Sequence, residues 1–207
     1  MTFKTLNTRD DMVEGDYTVR NVPALDASEN ESLKPAKYQM SRTHWALTPQ
    51  FENVPPWLQA LPWANWTAEP RGNGKMHKAP RHPNGGWKLS VTQPGQWASF
   101  GEVVHAYEAG NFDGVGILLT TACGLVGIDI DDWPTVLTAH DSITQTLVEF
   151  QRAGGHVELS PSGNGLRAFL RGTLGSTGRK SGGLEIYDNT RFLTVTGHVH
   201  KVKVRYD

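Results

Sequence analysis

The amino-acid sequence predicts an α+β domain built around a mixed or antiparallel sheet. Three observations lead there. Most of the second half divides into short runs rich in aliphatic or aromatic residues, each bounded by Gly, Asp, Ser or Asn, as strands are. Only two stretches keep a helical period of 3.6. The chain also shows neither internal repeats nor a regular alternation of strand and helix, which argues against a parallel α/β architecture.

The elements follow in order. Residues 1 to 48 are polar, carry mixed charge, contain Pro23 and Pro35, and hold no sustained period, so they read as a flexible arm preceding a domain over 49–207. The texture changes at PPWLQALPWANW (residues 55–66), followed by a Gly, Pro and Lys-rich loop over 70–95. A helix follows in which Trp97, Phe100, Val104 and Tyr107 share a face, with Gly110 as its C-terminal cap. Strands are expected at Val115–Leu119 and Leu125–Ile130. A second helix over Ser142–Ala153 places Ile143, Leu147 and Phe150 on one face and ends at Gly154. Further strands are expected at His156–Ser160, Leu166–Arg171, Leu184–Tyr187 and Phe192–Thr196.

Composition narrows the functional classes. With 207 residues and 38% hydrophobic content the chain can bury a core. It has no run near the roughly 18 apolar residues of a membrane span, and its start, MTFKTLNTRDD, lacks the pattern of a secretory signal, so a cytoplasmic protein is expected. A lone cysteine, Cys123, excludes an intrachain disulfide and a cysteine-rich zinc site, and its apolar surroundings predict a buried, reduced thiol. No G-x-x-x-x-G-K-[ST] motif is present, so the chain by itself should not drive ATP-dependent unwinding. A monomer is the default expectation.

The net charge of -1 conceals a segregation. Arg71 to Lys88 holds five basic residues and no acidic one, Glu102 to Glu158 holds nine acidic residues against Arg152, and Arg167 to Arg191 holds five basic residues against Glu185 and Asp188. Such a chain could fold an acidic metal centre between two phosphate-binding flanks, or these could be ordinary solvated faces.

Three motifs could carry chemistry. In GLVGIDIDD (124–132), strand alternation projects Asp129 and Asp131 from one side, roughly 7 Å apart, a spacing at which two carboxylates can hold one or two hard cations. Asp132 points away or begins the turn before Pro134, and aspartates at strand ends are also common as turn and capping residues. In VELSPSGNGLRAFLRG (157–172), the loop Ser160, Pro161, Ser162, Gly163, Asn164 and Gly165 could turn backbone N–H groups and serine hydroxyls toward an anion, with Arg167 gripping phosphate beyond it; the alternative is a plain hairpin turn. In GGLEIYDNTRFLTVTG (182–197), Glu185 sits between Leu184 and Ile186 and so faces a different side from them. It needs a cation or a basic partner if buried, unless it is simply an exposed strand glutamate. Arg191 belongs either to that polar face or to a phosphate site. Trp87, in the basic loop, is the tryptophan placed to stack on a base, and Lys78 is a further candidate for neutralising phosphate.

In this order and spacing, D-x-D, then S-P-S-G-x-G, then L-E-I-Y-D followed by R-F-L-T-V-T-G resembles the archaeo-eukaryotic primase superfamily, in particular the N-terminal domain of bifunctional primase-polymerases of phages, plasmids and integrated elements. The resemblance covers about residues 55 to 200, with a looser match at GNGKMHKAPRHPNGGW. It implies an αβ unit packed on an RRM-like sheet with the active site between them. It further implies that Asp129, Asp131 and Glu185 are the catalytic, metal-binding acids for Mg2+ or Mn2+. The nucleotide would be held by Ser160, Ser162, Gly163, Asn164, Gly165 and Arg167, with Arg191 and Lys78 as further phosphate ligands. The implied partners are a single-stranded DNA template, NTPs or dNTPs, and in many such proteins a helicase domain or subunit. One departure stands out: the family usually has histidine where this chain has Arg167, a permanently charged fork in place of a titratable ring.

Two other classes compete. His198-Val199-His200 with Tyr206 as nucleophile would suit an HUH endonuclease, although that leaves the D-x-D and S-P-S-G elements unexplained. A non-catalytic module with the primase fold, binding template or origin, is the other.

Overall fold

The computed structural model describes residues 5–6, 12–13, 45–72, 76–175, 178–181 and 183–203. Most of the polar N-terminal stretch, together with Lys75 and Tyr206, lies outside the described residues. Two short strands, β1 (Thr5–Leu6) and β2 (Met12–Val13), pair with each other. The remaining strands form two antiparallel sheets. One has four strands in the order β11-β5-β3-β4, comprising β3 (Trp63–Pro70), β4 (Met76–Arg81), β5 (Gly114–Leu119) and β11 (Arg191–Val195). The other has five in the order β7-β8-β6-β10-β9, comprising β6 (Leu125–Asp131), β7 (His156–Leu159), β8 (Gly165–Arg171), β9 (Arg179–Ser181) and β10 (Leu184–Tyr187). The α+β class is as the sequence predicts.

Helices cover these sheets where apolar side chains require it. Helix α1 (Pro56–Gln59) is a single turn that buries Leu58. Helix α2 (Phe100–Glu108) packs on β3 and β5 and opens with a capping box: the Ser99 side chain accepts from the Glu102 N–H while the Glu102 carboxylate accepts from the Ser99 N–H. The helix therefore begins three residues later than the apolar period suggests. Trp97 lies before it, packed with Leu89 and Leu118, and the buried face is Val103 and Ala106 flanked by Phe100 and Tyr107. Gly110 takes the left-handed conformation expected of a C-terminal cap. Helices α3 (Trp133–Ala139) and α4 (Asp141–Arg152) share a core with β6, β7, β8 and β10, in which Val126, Ile128, Ile130, Leu147, Phe150, Leu166 and Ala168 are buried.

Several expectations change. Part of the predicted loop over 70–95 is strand β4, paired along its length with β3; its Lys, Pro and His residues disguise a strand at a sheet edge, where such residues are tolerated. Helix α3 escapes detection because it is two turns long and opens on Pro134, and strand β9 because it is short and polar. Cys123 is free but half-buried, beside the Thr120 hydroxyl at 3.1 Å, rather than fully enclosed.

The two sheets meet at close quarters. A side chain at Gly127 of β6 would run into Leu193 and Leu119 of the other sheet, so glycine is required there for contact. Beyond β11 the chain crosses to the five-stranded sheet and lies along β7: Leu159 N–H donates to His198 O at 2.9 Å and His200 N–H to Val157 O at 2.8 Å. The wholly buried Glu158 carboxylate fixes this crossing. It accepts from the N–H groups of Thr196 and Gly197, both at 2.8 Å, and its Oε2 lies 2.9 Å from His156 Nε2. Gly197 has φ +71 and faces Gln50 O, so no side chain fits.

Glu158→Ala should cost about 3 kcal/mol, because two buried N–H groups lose their acceptor. Urea denaturation reads this directly; an unchanged midpoint would show that the carboxylate does not hold the crossing.

Candidate active site

The site is built on one face of the five-stranded sheet. On antiparallel strands, directly opposed residues project from the same face. The register sets Glu158 of β7 opposite Arg167 of β8, Arg167 opposite Asp129 of β6, Asp129 opposite Glu185 of β10, and Glu185 opposite Lys180 of β9. One row of charge thus crosses all five strands. The opposite face is apolar, since Ile128, Ile130, Leu166, Ala168 and Ile186 pack under α3 and α4.

Within the row each charge has a partner. Arg167 Nη1 donates to Asp129 Oδ1 and, at 3.2 Å, to Leu166 O, while its buried Nε has no hydrogen-bond partner. Glu185 accepts from Lys180 Nζ and from the Tyr187 hydroxyl at 2.6 Å. Arg191 in turn donates to Tyr187 Oη at 3.0 Å, its guanidinium 4.2 Å from the ring centre. These donors hold the Glu185 carboxyl below the usual carboxylate range, the Lys180 bond acting most strongly. Asp131, two residues along β6 from Asp129, stands opposite Gly165 at the exposed end of the strand.

Asp129 behaves differently. Burial pushes its carboxyl above the ordinary aspartate value more than the Arg167 guanidinium pulls it down, and Asp131 and Glu185 push it further. Lys78 reaches the same cluster from β4: burial and Arg167 depress its ammonium, whereas Asp129 and Asp131 support it. Its Nζ lies 5.7 Å from the Trp45 ring centre.

The loop between β7 and β8 is a hairpin turn bracing the end of β6. Gly163 N–H donates to Ser160 O at 2.8 Å, and Gly165 N–H to Ser160 Oγ at 3.1 Å. Ser162 Oγ lies 3.2 Å from that hydroxyl and accepts from Asn164 N–H at 3.4 Å. Trp133 backs the turn, its indole donating to Gly163 O at 3.2 Å. In this form the loop's donors largely serve the turn itself; Ser162 and Asn164 remain exposed next to Asp131.

Sequence reasoning thus found residues that the fold gathers: Asp129, Asp131, Glu185, Arg167, Lys78 and, beside Glu185, Arg191. It missed Tyr187, which the two-residue strand period from Glu185 would have placed on the same face, and Lys180 and Trp45, whose approach depends on pairing that no local pattern reveals. His198 and His200 do not converge on a common ligand: His198 Nε2 lies 2.7 Å from Thr48 O, and His200 packs on Trp133 at 4.6 Å. Among the described residues, no three His, Cys, Asp or Glu side chains are gathered as a ready-made metal cage. The row nonetheless offers the carboxylate oxygens that hard cations take, and crowding among Asp129, Asp131 and Glu185 is a condition that an added cation relieves.

A carboxyl with a raised folded pKa binds more protons folded than unfolded, so its contribution to stability falls as pH rises from the unfolded value toward the folded one. Carbon-detected NMR should place the Asp129 midpoint above 3.8, lower in Asp131→Asn and higher in Arg167→Gln. A midpoint at or below 3.8 would contradict the assigned burial.

No family model matches the chain. It is 30% identical over 148 residues to a DNA primase-polymerase of Nitratiruptor phage NrS-1. The alignment takes in 66% of this chain and 19% of that protein, so the chain spans about a fifth of its relative's length. The two are related in sequence.

Proposed function

We propose that this chain is the catalytic domain of a DNA primase-polymerase of the archaeo-eukaryotic primase superfamily, transferring nucleotides from NTPs or dNTPs onto a strand directed by a single-stranded DNA template. The observation that carries the reading is the row of paired charges across the five-stranded sheet, with Asp131 added at its open end. Two acids on one strand and a third on its neighbour, flanked by cations from both sheets, suit a polyanionic substrate that arrives with its counter-ions. The sequence relationship to a phage primase-polymerase supports the same reading.

Asp129, Asp131 and Glu185 would hold two Mg2+ or Mn2+ ions, which would supply Lewis acidity at the α-phosphate and favour the deprotonated attacking hydroxyl. Arg167 and Lys78 neutralise the triphosphate, the guanidinium turning from Asp129 toward phosphate oxygens as the acid is claimed. Lys180 is drawn from Glu185 in the same way. Arg191 steadies Tyr187 at the flank. The exposed Ser162 and Asn164 add hydrogen bonds to the nucleotide. Unwinding would come from a helicase domain or subunit elsewhere.

A second reading rests on one specific observation: Asp129 and Glu185 are both occupied by basic partners. A binding module that had abandoned catalysis would keep such pairs permanently. Labelled-nucleotide incorporation on primed and unprimed single-stranded DNA, with Mg2+ or Mn2+, separates the two. Metal-dependent products that fall at least a hundredfold in the Asp129→Ala, Asp131→Ala double variant are expected. Template binding without products under every condition would select the binding module.

A further inference from the structure

The basic segment singled out in the sequence becomes a single structural feature. Its described residues include Arg71 just past β3, the edge strand β4 and the turn that follows it as far as Lys88. Arg81 pairs with Lys88 in a β-bridge, and His82 N–H donates to Trp87 O at 3.0 Å, closing a turn over Pro83, Asn84, Gly85 and Gly86. The turn holds two aromatic rings together. The imidazole of His82 and the indole of Trp87 stack at 4.2 Å with an interplanar angle of 13°. The stack is braced: Asn84 N–H donates to His82 Nδ1 at 3.0 Å, and a side chain at Gly85 would collide with the indole.

The indole of this pair is left in solvent, while the imidazole beneath it is half-buried. Trp87 is 49% exposed, whereas Trp63 and Trp66 are buried. Lys88 beside it is exposed, as is Arg71 at the far end of β4. Behind the turn lies a cavity of about 520 Å³ lined by Thr67, Arg81, Gly85, Gly86, Asn111 and Phe112. Glu69, the acid of β3 that faces this edge, is taken by Arg81.

We infer that the His82–Trp87 stack is a base-stacking platform for a single-stranded nucleic-acid template, with Lys88 and Arg71 contacting its phosphates. An exposed indole beside Lys88, where Glu69 is paired with Arg81 and the Glu102 carboxylate near His82 is engaged by Ser99, fits a strand of nucleotides, because every base offers a π-face and every linkage a negative charge. Position fits as well. His82 lies four residues beyond Lys78 on the same edge, roughly 13 Å along an extended chain, so a strand stacked on Trp87 is within a few nucleotides of the acidic row. The inference rests on the proposed template-directed reading for its direction, but template binding is measured without catalysis.

The test is fluorescence anisotropy of a labelled oligothymidylate with the chain in EDTA, over a series of salt concentrations. Trp87→Ala should weaken binding by about tenfold or more at every salt concentration, since loss of one stacked base corresponds to roughly 5- to 150-fold. Trp87→Phe should retain most of the affinity, which separates stacking from misfolding. Lys88→Ala should instead lower the salt slope by about 0.7. Unchanged affinity in Trp87→Ala, or equal losses in the Ala and Phe variants, would overturn the platform. Failure of the two ideas is distinguishable: incorporation without any role for Trp87 removes only the platform, and Trp87-dependent binding without incorporation removes only the catalytic reading.

Discussion

A buried carboxylate joins the two sheets. Glu158 has no exposed surface, and it accepts two backbone N–H groups from the chain where it leaves β11 and turns along β7. Such a charge is tolerated only because backbone N–H groups and His156 surround it. The bond network does more than stabilise. It ties the segment after β11 of the four-stranded sheet to β7, while Lys78 of β4 reaches Asp129 and Arg167 from that same sheet. Glu158 is also the first member of the charged row, so the element that locks the fold and the element that carries the chemistry share one line across the sheet.

The remainder of that row is a balance between burial and attraction. Asp129 is buried enough for desolvation to outweigh its guanidinium partner, while Glu185, with Lys180 and Tyr187 as donors, stays easily ionised. Two acids on neighbouring strands therefore have opposite tendencies. A polyanion with divalent counter-ions would exchange the partners of both, because Arg167 and Lys180 bind phosphate as readily as carboxylate. The arginine strengthens this coupling: its charge cannot be titrated away, so it always needs an anion.

Strands β6, β7, β8 and β10 are legible in the sequence because each carries an unbroken apolar face. Leu125, Val126, Ile128 and Ile130 announce β6, and the aspartates emerge from its other face by simple alternation. Local signals fail where a segment is polar or owes its form to a partner. Strand β4 looks like a loop until β3 pairs with it, and β9 has three exposed residues and no apolar pattern. The start of α2 was misplaced because Trp97 keeps the helical period while Ser99 caps the helix after it. For the site, which acids share a face was readable, but which cations oppose them was not. The pairs Arg167 with Asp129 and Lys180 with Glu185 follow from strand register, which tertiary packing sets.

The most direct measurement is a crystal structure of the chain with Mn2+ and a non-hydrolysable nucleoside triphosphate, the metal located by its anomalous scattering. Manganese bound by Asp129, Asp131 and Glu185 is expected, with the Arg167 guanidinium moved from Asp129 to a phosphate oxygen. Triphosphate bound elsewhere, or manganese absent from these carboxylates while Arg167 keeps its pair, would contradict this.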